Sequence, residues 1–355
     1  DRGRRRGLLA GRARRGARMS PLDAASAPTA PLIRVTGLER RFDVSKPWLN
    51  RVLEREPKRY LTAVGGVDFE IPARSTYALV GESGSGKSTI GKIAVGLLAP
   101  SGGAVEIGGV DLHRSRDAQA VRRARGRIQM IFQDPYASLN PRWRVRHIVG
   151  EPLVVAGRSD EAPRRVGALL EQVGLSARDA EKYPHEFSGG QRQRLCIARA
   201  LAAEPEFIVC DEPTSALDVS VQAQVLNLMK DLQARLGLTY LFISHDLSVV
   251  RYMADRIGVL YLGRLVEEAP REALFERPRH PYTRMLLEAA PRLDAFGRDA
   301  QPPQGEIPDP TDPPPGCAYN PRCPLANDRC RAERPLPAPA GAARVACHAV
   351  EEGRG

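Results

Sequence analysis

The run GESGSGKST at residues 81–89, directly after the apolar STYALV, constrains this chain more than any other stretch. It fits the pattern of Gly, four residues, then Gly-Lys-Ser, in which a glycine loop leads from a buried strand into a helix and turns backbone N–H groups toward phosphate oxygens. Gly81, Gly84 and Gly86 let the backbone approach the phosphates, with Glu82, Ser83, Ser85 and Thr89 completing the nucleotide-binding stretch. Lys87 reaches the outer phosphates and the Ser88 hydroxyl offers Mg²⁺ a ligand. Ile90, Ile93, Ala94 and Leu97 then recur at helical spacing, which a Gly-Ser-rich turn would not require.

Such a loop belongs to an α/β fold, and the rest of the chain agrees. From about Leu32 to Glu276 short apolar runs alternate with helical patterns, predicting a largely parallel sheet. EFIVCDEP and TYLFISHD are apolar runs that end in polar residues, as strands buried on both faces do. Ligands in these folds bind beyond the carboxyl ends of the strands, so Asp211, Glu212 and His245 are expected beside the glycine loop. Asp211 then completes the Mg²⁺ site and Glu212 orients or deprotonates an attacking water. His245 donates to the terminal phosphate. Gln133, ending the run IQMIF, touches both the metal shell and that water, unless it is an ordinary polar loop residue.

A second phosphate grip follows. Ser188, Gly189, Gly190 and Gln191 match a capping box ahead of a helix carrying Leu195, Ala198 and Leu201. A double glycine in a first helical turn is costly, and useful where backbone N–H groups must be approached closely, so the same four residues also read as an anion site. With its own loop already holding one side of a nucleotide, the chain would offer this second grip to a nucleotide held by another copy, head to tail.

The formal charge of +11 invites a nucleic-acid reading, but about +7 of it lies in residues 1–18, which carry eight Arg against Asp1. The remainder is nearly balanced, and no nucleic-acid partner is expected. That arm precedes Met19, the first methionine, so residues 1–30 read as an Arg-rich, disordered tail whose first part need not be native. No apolar run of membrane-spanning length occurs, and any membrane role is peripheral. Residues 136–187 are poor in β-branched runs and predict a helical insertion. Residues 302–315 are Pro-rich and read as a linker or extended wrap.

GESGSGKST, IFQDPYASLNPR, FSGGQRQR, IVCDEPTSALD and ISHD, in this order over roughly residues 31–275, resemble the nucleotide-binding subunit of ABC transporters, with Phe187 where the signature usually has Leu. The resemblance implies a phosphate-loop ATPase with a mainly parallel sheet, an antiparallel N-terminal β part and a helical insertion. It also implies ATP and Mg²⁺, with Ser88, Gln133 and Asp211 around the metal, Glu212 as catalytic base, His245 on the γ-phosphate and Asp218 in communication across a dimer. The adenine-stacking aromatic is Phe42 or, past an insertion, Tyr60.

HPYTRMLLEAAPRL and GCAYNPRCPLANDRC with VACH, within residues 276–355, resemble the C-terminal extension of the dipeptide and oligopeptide importers, and QDPYASLNPR resembles the second of their two ATPase subunits. This implies peptide import, with nickel, glutathione or another small solute as alternatives. It further implies a homologous ATPase partner, two membrane permeases, an external solute-binding protein, and a place on the cytoplasmic face of the membrane. Cys317, Cys323, Cys330 and Cys347 form a small Cys-rich extension. By their spacing they hold zinc, an iron–sulfur cluster or nothing, and the resemblance favours [4Fe–4S]. A DNA-repair ABC ATPase is the competing class, but Lys87 and Asp211 lie too close in sequence for a long coiled-coil insertion. A translation factor would need two tandem ATPase units.

Overall fold

Twelve strands form two sheets in the computed structural model, which describes residues 30–54, 57–289 and 305–355. The Arg-rich stretch up to residue 29, with Met19, and residues 290–304 lie outside these. In chain order the strands are β1 (Ile33–Asp43), β2 (Tyr60–Ile71), β3 (Thr76–Val80), β4 (Gly102–Ile107), β5 (Val110–Asp111) and β6 (Ile128–Ile131). They continue with β7 (Phe207–Asp211), β8 (Thr239–Ile243), β9 (Arg256–Tyr261), β10 (Arg264–Pro270), β11 (Ala338–Ala340) and β12 (Ala343–Val345). One sheet, ordered β2-β1-β4-β5, is antiparallel. The other is ordered β11-β12-β10-β9-β3-β8-β7-β6; it is parallel from β9 to β6 and antiparallel across the rest.

Every residue of β3, β7 and β8 is buried, because both faces of the parallel sheet are covered. The period-2 alternation of a strand sorts the side chains. Phe207, Val209, Leu241 and Ile243 pack with Ile90 and Ile93 of helix Lys87–Ala94 and with the antiparallel sheet. Ile208, Cys210, Tyr240 and Phe242 pack on the opposite face with helices Gly189–Ala202 and Val219–Leu236. Burying both faces leaves the strand ends for polar residues. The segments after β3, β6, β7 and β8 therefore carry Gly81, Gln133, Glu212 and His245 to one edge. Between β6 and β7 the chain runs through helices Pro135–Ser138, Val145–Val155 and Ala162–Gln172.

The C-terminal residues build onto the same sheet: β12 pairs with β10, Glu267 opposite Val345. The buried Glu267 carboxylate accepts the backbone N–H groups of Arg279 and His280, each at 2.8 Å, and so anchors the start of helix Pro281–Ala289. His280 Nδ1 accepts from Tyr282 N at 3.0 Å, and burial of the ring pushes its pKa down to about 3.

A neutral buried His280 makes the protein acid-sensitive. The folded-state pKa is depressed, so between about 6.5 and 3 the unfolded chain binds a proton that the native chain refuses, and stability rises with pH across that window. The loss from this group is about 2 kcal/mol on going from pH 7.5 to pH 5. His280→Asn keeps the acceptor without the titration. Urea unfolding at the two pH values is expected to show a smaller pH difference for His280→Asn than for the parent.

Candidate functional site

The phosphate loop is fixed by close backbone approach. A Cβ on Gly81 (φ 151°) would lie 2.2 Å from the Leu260 carbonyl oxygen, and one on Gly86 (φ 104°) would lie 2.2 Å from that of Ala63. Only glycine fits either place, so the loop is wedged between β9 and β2. Gly86 caps helix Lys87–Ala94, whose N–H groups open toward the loop. Lys87 is buried, and its Nζ donates to Gly81 O at 2.7 Å, Glu82 O at 2.8 Å and Ser85 Oγ at 3.3 Å. Burial lowers its pKa, while Glu212, Asp211 and Glu82 raise it. Ser83, Gly84 and Ser85 form the rest of the loop, and Thr89 lies in the first helical turn.

The strand ends place oxygen ligands opposite. Ser88 Oγ donates to Asp211 Oδ1 at 2.9 Å. Burial raises the Asp211 pKa, the Ser88 hydrogen bond opposes it, and the neighbouring Glu212 raises it again. A buried carboxylate and a hydroxyl at this spacing suit a hard cation, and Mg²⁺ takes one or two protein oxygens together with substrate phosphates. The donor set fits.

Glu212 follows with φ 46°, a left-handed backbone unusual for Glu, fixed where its N–H donates to Ile243 O at 2.9 Å. The turn holds its carboxylate between two other expected residues. Gln133 Nε2 donates to Oε2 at 2.9 Å, and His245 Nδ1 lies 3.1 Å from Oε1. Side chains from just past the ends of β6 and β8 thus converge on the Glu212 carboxylate just past β7, which can orient a water.

Ser188, Gly189, Gly190 and Gln191 do form a capping box: Gln191 N donates to Ser188 Oγ at 3.4 Å and Ser188 N to Gln191 Oε1 at 3.0 Å. Gly190 has a packing reason as well, since a Cβ there would lie 2.3 Å from Val221 Cγ1. Ser188 stays exposed, and among the described residues no hydrogen bond joins 188–191 to the phosphate loop. Asp218, also exposed, caps helix Val219–Leu236 without a side-chain hydrogen bond. Phe42 pairs with Leu61 and Asp43 with Tyr60, so the two aromatic candidates lie on opposite faces of the β1–β2 ladder. Arg40 covers the Phe42 ring at 4.6 Å.

The four C-terminal cysteines share one neighbourhood. Burial first, opposed by the Tyr319 backbone hydrogen bond and reinforced by Cys347, Cys323 and Cys330, raises the Cys317 pKa to about 11. Backbone N–H groups hydrogen-bond the sulfurs: Tyr319 to Cys317, Leu325 to Cys323, and Val350 with Ala349 to Cys347. Among the described residues, however, no three His, Cys, Asp or Glu side chains gather closely enough to hold a metal ion. The metal expected there has no preformed single-ion site.

Sequence reading missed Tyr282 and Arg322, which reach the phosphate loop from far along the chain. Glu82 N donates to Tyr282 Oη at 2.9 Å, and Arg322 donates to both Glu82 carboxylate oxygens at 2.8 and 2.9 Å. The only signal was composition: a Tyr and an Arg inside the C-terminal stretches HPYTR and NPRC.

Comparison with known proteins follows the same division of the chain. Residues 64–215 match the family described as ABC transporter, and residues 266–330 match the oligopeptide/dipeptide transporter C-terminal region. The dipeptide transport ATP-binding protein DppF of Escherichia coli is 46% identical over 325 residues, 91% of this chain and 95% of that protein. Its namesake in Haemophilus influenzae is 47% identical over 309 residues, 86% and 92% of the two chains. Among solved structures, the dimeric post-hydrolysis ATP-binding cassette MJ0796 bound to ADP and Pi aligns with TM-score 0.58 and 28% identity over 67% of this chain and 98% of its own. The cassette cbiO1 of Clostridium perfringens, part of a cbiONQ transporter complex, gives TM-score 0.58 and 27% identity over 70% and 91%.

The two readings of the double glycine separate by experiment. Gly190→Ala is expected to cost about 1–3 kcal/mol by overpacking against Val221, and Val221→Ala to restore part of it. Urea unfolding measures the stability. ATP hydrolysis that stays low in the restored double variant assigns Gly190 to anion contact as well as packing.

Proposed function

Since this chain belongs to the ABC transporter family, in its dipeptide and oligopeptide import branch, we propose that it is the ATP-hydrolysing subunit that energises peptide import. The observation that carries the chemistry is the Glu212 carboxylate held between Gln133 and His245, beside the Ser88–Asp211 pair and the phosphate loop. Phosphoryl transfer needs positioning and charge neutralisation more than covalent help, and these side chains are arranged for both. Lys87 leaves the loop carbonyls for the outer phosphates. Glu212 orients and deprotonates the attacking water, Gln133 holds that carboxylate and senses the phosphate, and His245 donates to the γ-phosphate. Mg²⁺, held by Ser88 and Asp211 with Gln133 near, supplies charge neutralisation when bound.

The second grip works in a head-to-tail dimer, where the exposed Ser188 and the N–H groups of Gly189 to Gln191 cover a nucleotide on the partner's loop, with Asp218 between the two sites. The partner is a homologous ATPase subunit. The membrane-spanning partners are two separate permeases, and no helix among the described residues of this chain is long and apolar enough to cross a membrane. The exposed Tyr136, Trp143, Val154 and Val155 lie in the helical stretch after Gln133 and suit that contact. Arg192, in the helix that begins with the second grip, lies 4.0 Å over the Tyr136 ring, which links this stretch to the dimer face. An external solute-binding protein selects the cargo, and the chain works at the cytoplasmic face. The adenine stacks on Phe42 or Tyr60, and the aromatic whose replacement by Ala weakens ATP binding is the one that stacks.

For the four cysteines we favour a [4Fe–4S] cluster over zinc. Tetrahedral zinc needs sulfurs about 3.8 Å apart, given a Zn–S bond of about 2.3 Å. The four thiols lie near one another, and their sequence spacing lacks the paired Cys-x-x-Cys of common zinc sites. Anaerobic purification with iron, sulfide and zinc analysis is expected to find iron and sulfide in equal amounts; a metal-free, fully folded chain excludes both metals.

Glu212→Gln is expected to bind ATP normally, to hydrolyse it at least about 100-fold more slowly, and to abolish peptide uptake by cells that depend on this transporter. Unchanged hydrolysis removes Glu212 from its role. Normal peptide uptake with hydrolysis lost removes the transport reading and leaves the ATPase.

A further inference from the structure

The C-terminal extension touches the phosphate loop through Tyr282 and Arg322, and both contacts converge on Glu82. The Glu82 N–H donates to Tyr282 Oη, its carbonyl accepts from Lys87 Nζ at 2.8 Å, and its carboxylate is gripped by both Arg322 nitrogens at 2.8 and 2.9 Å. All its polar groups are engaged, one of them by the lysine that must reach the phosphates. Further along, Ile307, Pro308, Asp309 and Pro310 face Glu82, Ser83, Gly84 and Ser85 across a cavity of about 340 Å³.

The grip is built to be rigid. Only 2% of the Arg322 side chain and 19% of that of Glu82 is exposed, so water screens the pair little. The bidentate fork fixes the orientation of the carboxylate as well as its charge. The guanidinium lies 5.9 Å from the Tyr261 ring centre and 5.7 Å from that of Tyr319, and those rings pack against Tyr282. Arg322 ends the short turn Asn320–Arg322 between Cys317 and Cys323, a turn pinned where Cys317 N donates to Cys330 O at 2.8 Å. The four-cysteine unit therefore fixes Arg322, Arg322 fixes Glu82, and the Glu82 carbonyl sets the starting position of Lys87.

We propose that Arg322 is a positioning residue for ATP binding, through which the C-terminal extension sets the shape of the phosphate loop and hence the affinity for nucleotide. A purely structural ion pair would affect unfolding and leave nucleotide affinity alone. The inference rests on the ATPase reading and is independent of the cargo.

The test is ATP affinity of the purified full-length chain, read by displacement of trinitrophenyl-ATP, together with the melting temperature. Arg322→Gln and Glu82→Gln are each expected to weaken ATP binding on the order of 10- to 100-fold, by analogy with the loss when a group that orients a metal ligand is removed. The double variant is expected to be no weaker than either single one, since the two act as a pair. Arg322→Lys, which keeps the charge but loses the fork, is expected to fall between. Unchanged ATP affinity with a lowered melting temperature, or additive losses in the double variant, overturns the proposal. Glu82→Gln decides alone where Arg322→Gln does not fold, since an unchanged affinity there is equally fatal. ATP binding by the unaltered chain in the same assay separates failure of this inference from failure of the ATPase reading.

Discussion

The close approach of two strand carbonyls to the phosphate loop governs the rest of this molecule. Leu260 O and Ala63 O lie where Gly81 and Gly86 would carry a Cβ, so the loop is clamped between the two sheets and cannot drift from the strand ends. Everything the chemistry needs is measured from that point. The parallel order β3-β8-β7-β6 then sets His245, Glu212 and Gln133 at successive strand ends. The left-handed turn at Glu212 brings its carboxylate between the other two. A sheet buried on both faces leaves polar side chains few places other than this edge, so the same packing that stabilises the fold also assembles the site.

The phosphate loop and the Ser188–Gln191 capping box, the two halves of the proposed nucleotide clamp, share no hydrogen bond among the described residues. The phosphate loop opens at the strand edge, while Ser188 is exposed at the start of another helix, without a hydrogen bond to that loop. Gly190 is held tightly under Val221, just past Asp218 at the start of the next helix, so the second grip and the turn after Glu212 pack as one piece. That packing suits an ATPase whose binding and hydrolysis must be converted into motion of a partner.

Much of this was legible in the sequence where chemistry demands neighbouring residues. The glycine loop, the Asp-Glu pair and the strand-end His each advertise themselves in a few consecutive letters, and apolar runs ending in polar residues mark the parallel strands. Contacts between distant segments were not legible. Arg322 meets Glu82 across 240 positions, and nothing in NPRC names that partner. The strands β11 and β12 are three residues each, APA and ARV, too short and too poor in β-branched residues to announce that the C-terminal extension continues the main sheet. The Gly-Gly pair was ambiguous for a physical reason: the letters fit a capping box and an anion site equally, and the fold adds a third demand through Val221.

The most direct measurement is to tag the chain in its native host, solubilise the membranes gently and identify what co-purifies. The account predicts two polytopic membrane proteins and a second, homologous ATPase, in an assembly whose ATP hydrolysis rises when a peptide-loaded binding protein is added. Recovery from the soluble fraction with nucleic acid or ribosomes, and no membrane partner, would contradict it.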